Sequence, residues 1–319
     1  MPCLWILNDG ASVMARLIFR RVTWAIPTLW LIVTISFFLM RAAPGGPFDL
    51  ERPLDPIVME NLRRIYQFDE PLWRQYLSYV AALAHGDFGP SYYWRDFSVA
   101  ELFAKALPIS AGLGATALAL AVVVGSAAGA FAASRARSAL DVVVTATVSF
   151  GVTLPNFVVA PLLQLAFGLW LKVLPVGGYA EGAPGNLVLP IVVLAAPQVA
   201  AVARLTRAAM IEALAAPASR TLRAYGLPHR VVLAHAFRAA LIPLVSYLGP
   251  AAAAVMTGSV VVETIFGIPG VGRYFVEAAL NRDYTLSMGA VILVATAIIV
   301  INLIVDVAYV FIDPRVRLD

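Results

Sequence analysis

Six long apolar stretches, at about 22–40, 108–133, 142–171, 187–206, 241–263 and 288–312, decide what this chain can fold into. A helix needs about 20 apolar residues to cross the hydrocarbon core of a bilayer. Within lipid the backbone must satisfy its own polar groups, which leaves helices or closed barrels. With 61% hydrophobic and 13% charged side chains over 319 residues, a soluble globular domain is excluded. The expected fold is an all-α integral membrane protein with six transmembrane helices.

Arginine placement orients the spans. Arg16, Arg20, Arg21, Arg135, Arg137 and the arginines between 204 and 238 fall in alternate segments, with Arg315 and Arg317 after the last span. The short loops on the other side carry only Lys172, Arg273 and Arg282. Cytoplasmic loops collect the basic residues, so both termini are predicted to be cytoplasmic. The net charge of +4 is spread over separate loops, forms no nucleic-acid patch, and is read as a topology signal. Cys3 is the only cysteine and the three histidines are scattered, which indicates neither a disulfide nor a metal site.

The segment after the first span, 42–107, is predicted to form an extracytoplasmic helical insert. Asp55-Pro56 reads as a helix start, Leu72, Tyr76, Val80 and Leu83 give one apolar helix face, and Ser98 with Glu101 has capping-box spacing. A plug or spacer is the simpler reading of this insert; contact with substrate is the other. In span two, Gly125 and Gly129 are a small-xxx-small pair suited to close helix packing. Pro155, Pro190 and Pro197 can kink spans three and four, and Asn156 and Gln198 offer polar groups at depth as candidates to line a pathway.

The most informative hydrophilic interruption runs from Pro217 to Pro243. Pro217 suits a first helical turn, Gly226 can close that helix in the left-handed conformation, and Pro228 can open a second helix. Two short helices around a Gly-Leu-Pro elbow are expected. Arg220 and Arg223 are three apart and share a face with Thr221 and Ala224. That face can dock on another protein, although cytoplasmic loops of membrane proteins accumulate arginine in any case.

The run Arg220-Thr-Leu-Arg-Ala-Tyr-Gly-Leu227, followed by His235-Ala-Phe-Arg238 and Ile242-Pro243, resembles the permease subunits of binding-protein-dependent ABC importers, in particular the peptide branch. Leu222 and Tyr225 stand where that branch commonly has Ala and Lys, and the stretch between Gly226 and His235 is one residue shorter. The resemblance continues in Ala43-Pro-Gly and Gly86-Asp-Phe-Gly-Pro-Ser91. It is most specific in Gly258 to Arg273, Ala279-Leu-Asn-Arg-Asp-Tyr284 and Asp313-Pro-Arg-Val-Arg317, and it covers 14–319. Met14 opens the Arg-rich run with which such permeases usually start. Residues 1–13 are therefore expected to be a dispensable extension, 14–41 the first span, 108–312 a type-1 ABC transmembrane domain with its coupling loop at about 207–241, and 313–319 a cytoplasmic tail.

The resemblance implies a non-catalytic permease in a bacterial inner membrane, carrying oligopeptides or dipeptides. Gly89 to Asp96 and Phe157 to Leu162 look more like the oligopeptide branch. Relatives that carry nickel, glutathione or peptide-like antibiotics are the alternative. Implied partners are a second homologous permease, two cytoplasmic ATP-binding subunits that hold ATP and Mg, and an extracytoplasmic solute-binding protein. Arg220, Thr221, Arg223, Ala224, Gly226 and Leu227 would couple to the ATPases. The residues agree on one point: the only lysines, Lys105 and Lys172, follow Ala104 and Leu171, so neither fits a P-loop. An ion-coupled transporter would be expected to carry carboxylates at mid-membrane. The candidates are Glu263, read as a cap or pair at the outer end of span five, and Asp306, which can bind a proton, pair with an arginine or cap backbone.

Overall fold

The computed structural model of the chain describes residues 3–43, 69–94, 96–180 and 183–312. These residues form α1 (Cys3–Ala42), α2 (Leu72–Ala84), α3 (Val99–Ser134), α4 (Ala139–Thr153), α5 (Asn156–Leu163), α6 (Gly185–Ala215), α7 (Pro217–Ala224), α8 (His229–Phe266), α9 (Val271–Leu280) and α10 (Tyr284–Ile312). A π-helical stretch, Gln164–Trp170, runs on from α5. Among the described residues there is no β-strand, only an isolated bridge between Pro90 and Ser98. The predicted helix start at Asp55-Pro56 and the Asp313 to Arg317 run lie outside the described residues.

Five helices are long and apolar enough to cross a membrane: α1 from Met14, α3, α6, α8, and α10 as far as Ala308. The third apolar stretch is not one helix. Leu154 precedes a proline, which disfavours the helical basin, and it is extended at φ −104° and ψ 133°, so α4 stops there and α5 restarts at Asn156. Elsewhere helices outlast their apolar runs. The second helix of the hydrophilic interruption, expected to be short, does not end: α8 runs from His229 through Pro243 and Pro250 to Phe266. Strong helix formers on both sides of each proline, packed against α6, outweigh the lost backbone donors.

The helices sort into two compact units: Met1–Arg21 with Ala111–Ile268 and Ile298–Asp319, and Val22–Ser110 with Pro269–Ala297. In the first, α6 packs against α8 and α4, and α5 packs against α8 and α6. α3 joins this bundle through its glycines. A Cβ built on Gly125 would lie 2.8 Å from the Val199 carbonyl oxygen, and one on Gly129 would strike the Ala203 carbonyl oxygen. Only a residue without a side chain lets the two backbones approach so closely.

The second unit has two apolar cores. Val33 and Phe37 of α1 meet Met288 and Ile292 of α10 under Tyr76, Tyr79, Val80 and Leu83 of α2. Val99, Leu102, Phe103 and Ala106 of α3 meet Val271 and Ala278 of α9 and Leu286 of α10. The predicted face of α2 thus holds at Tyr76, Val80 and Leu83, but Leu72 at its start is exposed. The capping box forms as its spacing predicts: the Glu101 N–H donates to Ser98 Oγ at 3.2 Å, and the Ser98 N–H donates to Glu101 Oε2 at 2.9 Å.

Candidate coupling site

α7 forms because Pro217 occupies its first turn, where a missing N–H leaves nothing unsatisfied. It ends at Tyr225, and Gly226 follows at φ +73°, a conformation that side chains rarely adopt. The Gly226 N–H donates to the Arg223 carbonyl at 2.9 Å, and the Leu227 N–H reaches back to Leu222 O at 3.2 Å, closing the helix end. Pro228 then caps the start of α8. The elbow is therefore built as its sequence predicts.

Two side chains fasten this elbow to the end of α6. Ser219, fully buried, donates its hydroxyl to Ala213 O at 2.6 Å. Arg223 donates from its guanidinium to Leu214 O at 3.2 Å. Both acceptors belong to the last turn of α6, where carbonyls lack the regular i+4 donor, although Ala213 O also accepts from the capping Ala216 N–H. Arg220 and Arg223, expected to share a face, are both exposed, and Arg223 also reaches back to α6. Thr221 donates to Pro217 O at 3.1 Å. Ala224, Gly226 and Leu227 are exposed, and Tyr225, 80% exposed, projects furthest. Leu227 and Val231 are exposed apolar side chains of the same elbow.

Beneath the elbow Met210 of α6 packs with Ala236 and Ala240 of α8 and with Ala133 of α3, and Leu214, Leu233 and Phe237 surround them. α7 touches both α6 and α8. The elbow thus packs directly on two membrane-length helices. Ser219 was missed in the sequence, where nothing separates it from any small polar residue in a loop.

A second polar link lies in the same unit. Arg207 of α6 grips Asp141 in the first turn of α4 with two hydrogen bonds, Nε to Oδ1 at 2.6 Å and its terminal nitrogen to Oδ2 at 2.7 Å. The Arg137 N–H adds a third donor to Oδ2 at 2.9 Å. The Asp141 side chain is 3% exposed and Arg207 31%.

The two pathway candidates sit differently. Gln198 is buried within α6, and its Oε1 accepts from the Tyr247 hydroxyl of α8 at 2.9 Å, so it ties two helices together. Asn156 opens α5 half-buried, with its amide 3.2 Å from where a Cβ on Gly258 would lie. Glu263, expected to cap or pair, is fully buried in the last turn of α8. Its carbonyl accepts from the Ile268 N–H at 2.9 Å. Asp306 takes the arginine partner among its alternatives: Arg21 lies 2.6 Å from Oδ2.

Five membrane-length helices, with an exposed helical elbow fastened to two of them, define a multi-pass membrane protein. Residues 121–318 match the family described as binding-protein-dependent transport system inner membrane component, and the chain belongs to that family. It is an inner-membrane protein. It is 49% identical over 305 residues to the oligopeptide transport system permease protein OppB of Escherichia coli K12, covering 95% of this chain and all of that one. It is 46% identical to OppB of Haemophilus influenzae over the same length and coverage. The dipeptide transport system permease protein DppB of Bacillus subtilis 168 is 39% identical over 306 residues, 96% of this chain and 99% of its own.

Proposed function

We propose that this chain is the permease subunit of an ATP-driven importer that moves oligopeptides or dipeptides across the inner membrane. It crosses the bilayer six times, the broken α4–α5 segment supplying the sixth crossing, with both termini cytoplasmic and residues 42–107 outside. It pairs with a second, similar permease to enclose one pathway, to which Asn156 contributes directly and Gln198 through Tyr247. Two cytoplasmic ATPases hold ATP and Mg, hydrolyse the nucleotide and grip the elbow at Arg220, Thr221, Arg223, Ala224, Gly226 and Leu227. An extracytoplasmic binding protein delivers the peptide. ATP must favour the outward-facing state, since a ligand shifts an equilibrium only by its differential affinity for the two states.

What carries this reading is the elbow: an exposed edge centred on Tyr225 and Gly226, fastened by Ser219 and Arg223 to α6 and continuous with α8. The naming of the relatives supplies the peptide. In proteoliposomes containing the whole complex, Gly226→Pro is expected to abolish most peptide uptake while complex recovery stays near wild type. Proline cannot reach the positive φ of this position. Arg220→Glu alone should weaken uptake roughly tenfold, the scale of losing a charged contact at an interface. Normal uptake in both variants would remove the elbow from the mechanism.

A further inference from the structure

The second unit holds a cavity of about 310 Å³. It is enclosed by the last turns of α1, by α2, by the loop at Pro90 to Tyr92 and by the start of α10. Its wall has two characters. Phe37, Met40, Ala82 and Met288 give an apolar floor, while Arg41, Ser78, Tyr79, Tyr92, Tyr284 and Thr285 bring one guanidinium and five hydroxyls. No Asp or Glu is among the described residues that line it.

The wall is built in advance of any ligand. The Arg41 guanidinium carbon lies 5.3 Å from the Phe37 ring centre and 5.7 Å from that of Tyr284, so two π faces hold the cation in place. The loop is locked by Asp283, which is fully buried just before α10. Its Oδ2 accepts from the Ser91 hydroxyl and from the N–H groups of Tyr92 at 2.9 Å and Tyr93 at 3.1 Å. Its Oδ1 accepts from the Leu286 N–H at 3.0 Å, capping α10. Thr285 Oγ1, 2.6 Å from Pro90 O, ties the same loop to the same helix.

One donor on this wall has no acceptor among the described residues. The Tyr79 hydroxyl is buried without a hydrogen-bond partner among the described residues, and native proteins rarely leave such a group unsatisfied. Burial first, and the neighbouring Tyr92 second, push its pKa well above the ordinary tyrosine value. It therefore remains an O–H donor at physiological pH.

We propose that this cavity binds an oxyanion carried on an apolar stem, the phosphate of an anionic phospholipid, with Arg41 as its charge partner and Tyr79 as a hydrogen-bond donor. A basic, donor-rich wall, with no Asp or Glu among the described residues that line it, selects the head, and Phe37, Met40 and Met288 accept the first carbons of the stem. The site lies at the end of the membrane-length helix α1, where aromatic and basic side chains meet lipid head groups. Free phosphate shares the head chemistry but lacks the stem.

The test is native mass spectrometry of the intact complex, stripped of lipid by detergent and exposed again to phosphatidylglycerol, with phosphatidylcholine and inorganic phosphate as parallel arms. Retained phosphatidylglycerol is expected to fall about tenfold in Arg41→Gln and about threefold in Tyr79→Phe, the scale of one charged and one neutral hydrogen bond. Arg74→Gln, on α2 outside the cavity wall, should leave it unchanged. Equal retention by wild type, Arg41→Gln and Tyr79→Phe would overturn the proposal, and Tyr79→Phe keeps that outcome accessible even if the arginine variant fails to assemble. Displacement of the lipid by millimolar inorganic phosphate would support the oxyanion site while overturning its lipid source. The readout is bound lipid, so it stands apart from whether the complex moves peptides.

Discussion

At the scale of single residues, the Asp141–Arg207 pair shows how a polar link in an apolar protein is held. Two parallel hydrogen bonds, with a third from the Arg137 N–H, satisfy a carboxylate that is almost wholly buried. Removing the arginine leaves that charge uncompensated. A fully buried broken pair costs about 3–5 kcal/mol. Arg207 is nearly a third exposed and partly screened, so about 2 kcal/mol is expected for Arg207→Ala. The thermal inactivation midpoint of the purified complex should fall by several degrees. Asp141→Asn combined with Arg207→Gln should lose less than the two single changes together, because residues in one network do not add. Additive losses would show that the pair is not a unit. Arg207 was legible in the sequence only as a topology charge, and Asp141 lay one residue outside the predicted third span. Nothing in one dimension joins two positions 66 residues apart.

At the scale of elements, local chemistry was readable wherever the chain itself carried the cause. The Ser98–Glu101 capping box, the Pro217 start of α7 and the left-handed Gly226 are each set by neighbours in sequence. Pro155 is legible as a kink in the third span, but the structure breaks the helix there, because Leu154 before the proline is extended. The Gly125–Gly129 pair was visible, but its partner was not: it receives α6 within the same chain. Gly129→Leu would force α3 away from Ala203 and Thr206. Overpacking of this kind costs typically 1–3 kcal/mol, and recovery of the assembled complex should drop several-fold. Gly112, one of the same helix's glycines, has open space where its Cβ would lie, so Gly112→Ala should be silent. Size-exclusion yield of the two variants side by side checks the contrast, and equal loss would mean that α3 tolerates no change anywhere rather than at the α6 contact.

At the scale of the whole molecule, the disposition of charge bears on what drives transport. In the first unit Asp306 of α10 is paired with Arg21 of α1, and Asp141 with Arg207. A carboxylate that must bind and release an ion in each cycle is poorly served by an arginine already in place, since the ion would have to displace that partner. The chain also lacks a P-loop lysine. A permease powered through its elbow should therefore ignore ion gradients. In proteoliposomes holding the whole complex, the external binding protein and internal ATP, ionophores that collapse proton and sodium gradients should leave peptide uptake within about twofold of control. Replacing ATP with a non-hydrolysable analogue should stop it, and Asp306→Asn should keep at least half of the wild-type rate, since the pair it breaks is only partly buried. Uptake that follows the ion gradient and fails in Asp306→Asn would place the energy source at this carboxylate and overturn the proposed ATPase coupling through the elbow.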